Sequence, residues 1–216
     1  MLQWLKRKSE TQRIGHEIYE RIVAQARNPV FFQAAGVPDS MEGRLEMIML
    51  HLILMLDRLK TEGAPGQRLG QRLVEHLMAD LDDALRQIGI GDMGVPRRVN
   101  KAAAAFAERS RDYLAGLSCP GNTTPGGGDK LTAALLRHVY GASDASAAGH
   151  LTLQAATPQA AKLAAYVRAA AGHLATISNN DLFEGRELFP APLVSRTANT
   201  DQLAATAFGI CGAKGH

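Results

Sequence analysis

Apolar positions recur every three to four residues over most of the chain, and that spacing predicts helices. The first helix is predicted over residues 10–27, with Ile14, Ile18, Ile22 and Val23 on one face and Tyr19 beside them. Asn28-Pro29 stops it, because the residue before proline is pushed out of the helical region. Val30-Phe31-Phe32 then reads as a short aromatic turn, closed by Gly36-Val37-Pro38. Asp39 is the expected N-cap of a second helix over 40–61, with Glu42 placed to complete a capping box. That helix is apolar nearly all round between Leu45 and Leu56, a pattern that belongs at the centre of a bundle. Glu62-Gly63-Ala64-Pro65-Gly66 reads as a break. From 67 to 88 the chain is amphipathic: Leu69, Leu73, Val74, Leu77, Met78, Leu81, Leu85 and Ile88 fill one half of a helical wheel. Glu75, Asp82, Asp83 and Arg86 lie opposite. Asp80 falls at the edge of the apolar arc, where its carboxylate either reaches water or meets a basic group on another helix.

Gly89, Gly91 and Gly94 predict a turn, and Pro96 suits the first turn of a helix running to about residue 117. Residues 118–129 read as a flexible linker rich in proline and glycine. A short helix over 130–140, a small-residue loop over 141–157, a helix over 158–177 and a last short helix over 179–186 complete the ordered part. Beyond Pro192 the periodicity is lost, so 193–216 is expected to be a disordered tail. The expectation is an all-α single domain over 1–192, bundle-like, with six to seven helices and no internal repeat.

Composition sharpens this picture in two places. Aromatics are scarce and β-branched runs rare, which favours helices over strands. The two cysteines, Cys119 and Cys211, are far apart with no CxxC spacing, so no disulfide framework is expected. The longest apolar stretch, 47–56, is interrupted by His51 and falls far short of the roughly 20 residues of a membrane span. Met1-Leu2-Gln3-Trp4-Leu5 precedes its basic residues with no apolar core after them, unlike a secretory signal. A soluble protein is therefore expected. The net charge of +3 matters less than its placement in two clusters, Lys6-Arg7-Lys8 and Arg97, Arg98 and Lys101. Such clusters suit anionic lipid, RNA or an acidic protein surface.

The chemistry of catalysis is thin. His51 and His76 do not stand in the Glu-x-x-His spacing of a di-iron bundle, and no HExxH exists, so no metal and no cofactor are expected. Cys119 precedes Pro120 with no base tied to it by any motif. Gly89-Ile90-Gly91-Asp92-Met93-Gly94 comes after a helix rather than a strand and reads as a turn, not a phosphate loop. Asp82, Asp83 and Arg86 can pair along a solvated face, or serve with Arg97, Arg98 and Lys101 as a protein-binding surface across one tight turn. Trp4 with Lys6, Arg7 and Lys8 could lie at a membrane surface or form a frayed terminus.

Two clauses are more particular: Asn28-Pro29-Val30-Phe31-Phe32 with Gly36-Val37-Pro38-Asp39 and Gly43-Arg44, and Asp80-Leu81-Asp82-Asp83 with Arg86, Gly89-Ile90-Gly91-Asp92 and Val95-Pro96-Arg97-Arg98. Together with Leu136-Arg137-His138-Val139-Tyr140-Gly141, Leu163-Ala164-Ala165-Tyr166-Val167-Arg168 and Leu182-Phe183-Glu184-Gly185-Arg186, they resemble the ubiquinol–cytochrome c chaperone family, assembly factors of the cytochrome bc complex. The resemblance covers most of the chain; Asn100 and Ala107-Glu108 depart from it. It implies no catalysis. It implies binding of newly made cytochrome b, near the ribosome and with a second assembly factor as further partners. It also implies peripheral contact with the inner membrane, on the cytoplasmic face in a bacterium or the matrix side in a mitochondrion.

The site expected on this basis combines apolar contact from Phe31 and Phe32 with charged contact from Asp80, Asp82, Asp83, Arg86, Asp92, Arg97, Arg98 and Lys101. The rival reading is a basic helical module binding RNA or the ribosome through Arg97, Arg98 and Lys101, with no specific DNA target. A third is an enzyme built around Asp80.

Overall fold

The computed structural model describes residues 2–89, 94–118, 129–141 and 147–192, the helical backbone alone being described over 2–11 and 147–156. Among these residues there is no β-strand. The expected linker, save for Ser118 and Asp129, and the expected tail lie outside them.

Asn28-Pro29 makes the first corner, as the sequence predicts, but the segment after it is helical. α1 (Leu2–Ala26) begins eight residues before the predicted start and ends at that corner. α2 (Pro29–Gln33) replaces the predicted aromatic turn. Asn28 caps it by accepting the Val30 N–H at 3.1 Å, and proline at the first position loses only an N–H that would have been orphaned. α3 (Met41–Leu59) is capped by Ser40, whose hydroxyl accepts the Gly43 N–H at 3.1 Å, and not by Asp39. With Ser40 as cap, the third helical position is Gly43, which has no side chain to close a capping box. A side chain there would also strike Pro38, whose carbonyl oxygen stands 2.0 Å from where a Cβ would sit. Asp39 turns instead to Arg44, 2.7 Å away at the surface.

α3 is the central helix that its pattern predicts. Every residue from Met47 to Met55 is buried, and the helix packs on α1, on α4 (Gly63–Gln87), on α5 (Val95–Ser118) and on α7 (Ala147–Thr176). Between α3 and α4 lies a 3-10 turn, Lys60–Glu62. The predicted break is thus shorter than its composition suggests: Gly63 turns the chain at φ +59°, and Pro65 is absorbed in the first turn of α4. Arg58 locks this corner, donating to the carbonyls of Leu174 at 2.9 Å and Ile177 at 3.2 Å while pairing with Glu62.

α6 (Lys130–His138) is capped by Asp129. α7 starts at Ala147, inside what the sequence suggests is a loop, and runs through Pro158. Alanine is the strongest helix former, and the alanine-rich stretch sustains the helix despite the backbone hydrogen bond that Pro158 cannot donate. α8 (Asn179–Glu184) ends on Gly185 at φ +69°. Six of these helices are longer than eight residues, matching the expected all-α bundle.

One apolar cluster unites Ile18 and Ile22 of α1, Phe31, the buried run of α3, Leu69, Leu73 and Leu77 of α4, Leu135 of α6 and Leu163 and Val167 of α7. α5 is the outlier. Only Val95, Tyr113 and Gly116 of its residues are buried. It joins the centre through Tyr113, a member of that cluster, and through the ion pair of Arg109 with Glu46 of α3, with Nε 2.7 Å from Oε2. Leu85 near the end of α4 and Val95 at the start of α5 are buried but lie outside that cluster.

Candidate partner-binding surface

The start of α5 carries charges in the sense that the helix dipole disfavours, while α4 ends with Arg86 in its last turn. A helix N-terminus is partially positive and a C-terminus partially negative. α5 nevertheless opens with Arg97, Arg98 and Lys101 and no acid in its first turn. All three are exposed, and among the described residues none makes a hydrogen bond or ion pair through its side chain. Near the end of α4, Asp82 is offset by Arg86, whose Nε donates to it at 2.7 Å, while Asp83 faces solvent. Ile88, placed by the sequence in the apolar arc, is 53% exposed beside Gly89, which turns the chain at φ +83°. Cations that gain nothing from their own helix are available to something else.

The remaining expected site residues divide. Phe31 is a correction: it is fully buried, its ring 4.8 Å from that of Tyr166 and 5.4 Å from that of His51, so it offers no contact surface. The two-helix corner at Asn28 turns it inward. Phe32 is half-buried beneath the Arg44 guanidinium, in a cleft of about 200 Å³ that also includes Pro29 and Asp39. Asp80 points away from Asp82 toward α1, where it accepts the Tyr19 hydroxyl at 2.9 Å rather than a basic group. Burial and this carboxylate push the Tyr19 phenol far up, so it remains the donor. Asp92 lies outside the described residues, as do the side chains of Trp4, Lys6, Arg7 and Lys8, which sit in the first turns of α1.

One feature of the surface escapes the sequence reading. Between α3 and α4 runs an apolar groove of about 670 Å³, walled by Leu56, Leu59, Val74 and Met78 and floored by Gly66 and Gly70. The two glycines let α4 approach α3: a Cβ on Gly66 would stand 2.2 Å from the Leu59 carbonyl oxygen, and one on Gly70 3.0 Å from the Leu56 side chain. Their i,i+4 spacing is the signal in the sequence, and it is masked by the apparent break at Gly63-Ala64-Pro65-Gly66. Met78 at one end of the groove is one helical turn from Asp82, so groove and charged tip succeed one another along α4.

No helix among the described residues is long and apolar enough to cross a membrane. His51, which interrupts the apolar stretch of α3, is in the core. Its Nδ1 lies 2.7 Å from the Met47 carbonyl and its Nε2 2.8 Å from the Tyr166 hydroxyl. Burial lowers its pKa to about 4, so the imidazole is neutral. It donates from Nδ1 and accepts at Nε2. Gln25 completes the network by donating to the Tyr166 oxygen at 2.9 Å.

Together these features define a helical scaffold that presents charge and an apolar groove. Residues 33–189 match the family model described as ubiquinol-cytochrome C chaperone, and the chain belongs to that family. The crystal structure of the Cbp3 homolog from Brucella abortus is similar over 85% of this chain and 93% of that one, at 35% identity and a TM-score of 0.69. No curated protein matches the chain. The role that family and fold support is that of a chaperone and assembly factor for ubiquinol–cytochrome c reductase, and membership implies a non-enzymatic part in it.

Proposed function

We propose that the chain binds newly made cytochrome b and holds it for assembly, using the α4–α5 tip to orient the client and the groove along α4 to shield apolar segments. The observation that carries this reading is the set of cations Arg97, Arg98 and Lys101, unpaired among the described residues, the two arginines lying in the first turn of a helix where they cost rather than contribute stability. Opposite charge across an interface steers encounter and fixes orientation, and Asp82 and Asp83 give the tip both signs. The start of α1, with Trp4, Lys6, Arg7 and Lys8, is assigned to the surface of the inner membrane, where such residues meet anionic lipid. The ribosome and a second assembly factor are further partners of this reading.

The test is purification of tagged protein from its own membranes in mild detergent, followed by mass spectrometry. Cytochrome b should be enriched with the native chain and depleted with the R97E/R98E variant. The melting temperature of that variant should be unchanged or slightly raised, because acids at a helix N-terminus agree with the dipole. Undiminished capture by R97E/R98E would remove the tip from the interface. Recovery of RNA alone would favour a basic nucleic-acid module instead.

A further inference from the structure

Arg137-His138 belongs to a sequence clause that the chaperone reading leaves without a task. In the fold, His138 ends α6 and faces α5, where Glu108 and Asp112 are one turn apart on a single face. Donor atoms of Glu108, Asp112 and His138 all lie within 4.8 Å of one another. His138 Nε2 is already 2.9 Å from Asp112 Oδ2. The imidazole has only 6% of its side chain exposed, and Tyr113 holds it edge-on, with ring centroids 5.7 Å apart and planes at 89°. Its donor nitrogen is thus fixed toward the carboxylates.

Asp112 pairs with the Arg137 guanidinium, 3.0 Å away, and Arg109, whose ion pair is with Glu46, adds positive charge near Glu108. Glu108 is exposed and makes no hydrogen bond or ion pair among the described residues. We propose that Glu108, Asp112 and His138 form a divalent-metal site that takes zinc and clips α5 to α6.

A nitrogen donor beside two carboxylates suits zinc better than magnesium or calcium, which prefer oxygen. Ligands on zinc bonds of about 2.0–2.1 Å stand roughly 3.4 Å apart, so the His138–Asp112 pair has to open by about 0.5 Å and the solvent-facing Glu108 to swing inward by at most about 1.4 Å. Nε2 must be free of its proton to bind, so that proton shifts to Nδ1 or is released. Three protein ligands leave a fourth position for water. The metal would close the chain between Asp112 and His138, residues 113–137, into a loop, which is where its stabilising effect would arise.

Calorimetric titration of the full, chelator-stripped chain with zinc alone tests the site, alongside E108Q, H138Q and R137Q. Expected are saturable one-to-one binding, affinity weaker by about tenfold or more in E108Q and H138Q, and a melting temperature that rises with zinc concentration. R137Q should bind several-fold more tightly, because it removes a cation that competes for Asp112; a purely structural ion-pair cluster has no reason to respond in that direction. Glu108 is exposed, so E108Q keeps the fold even if H138Q does not. No saturable binding, or binding that E108Q leaves unchanged, overturns the proposal.

Discussion

His51 sits among the rings of Phe31, Tyr166 and Phe189, with no charged side chain bonded to it. That surrounding makes it a stability sensor. Its folded pKa of about 4 lies below the ordinary 6.5. Between those values the unfolded chain takes a proton that the folded chain refuses, so stability is complete above about pH 6.5 and falls as the pH drops toward 4. The difference corresponds to on the order of 3 kcal/mol. Urea melts from pH 7 to pH 4 should show this decline, and H51Q should flatten it. Y166F leaves His51 Nε2 without its donor and Gln25 with only the Pro190 carbonyl as acceptor, and should cost about 1–3 kcal/mol at pH 7. The sequence places His51 inside an apolar run and so signals burial. It gives no sign that Tyr166, 115 residues away, would satisfy it.

At the scale of elements, the contacts that glycine permits decide how closely helices approach. A Cβ on Gly116 of α5 would stand 2.7 Å from the Leu131 Cα of α6, and the rigid backbone there cannot yield as a side-chain tip could. G116A should therefore lower stability by about 1–3 kcal/mol. G172A in α7 meets nothing within 4 Å and should raise it by roughly 0.4–1 kcal/mol, through helix propensity and a less flexible unfolded chain. Thermal melts of the two variants compare these effects directly. Helix existence and type were largely legible in the periodicity, as α3 and α4 demonstrate. Ends were less so. α1, α4 and α7 each begin ahead of their predicted starts, in α4 because a proline in a first turn costs little and in α7 because an alanine-rich segment has no apolar stripe to count.

For the whole molecule, the groove between α3 and α4 and the tip of α4–α5 are the two parts of the candidate surface. Placing a charge in the groove tests whether they act together. Val74 is partly exposed on the groove wall, so V74E should leave the melting temperature within a few degrees of the native value and reduce cytochrome b capture. Capture unaffected by V74E but abolished by R97E/R98E would confine the interface to the tip. The charged half of this surface was legible, because Asp82, Asp83, Arg97 and Arg98 are close in the chain. The groove and the Glu108–Asp112–His138 cluster were not, because each joins separate helices: the i,i+4 spacings of Gly66 with Gly70 and of Glu108 with Asp112 do not say which helix stands opposite.

Local preferences are written in neighbouring residues, so the sequence alone determined that this chain is helical, that the helix predicted over 40–61 lies at the centre, that Asn28-Pro29 turns a corner and that charge gathers at 82–101. Side-chain direction across elements depends on how helices rotate and pack, which no local pattern records. Only the tertiary structure decided that Phe31 faces inward, that Asp80 serves Tyr19, that Glu46 holds Arg109, and that two glycines open a groove along α4.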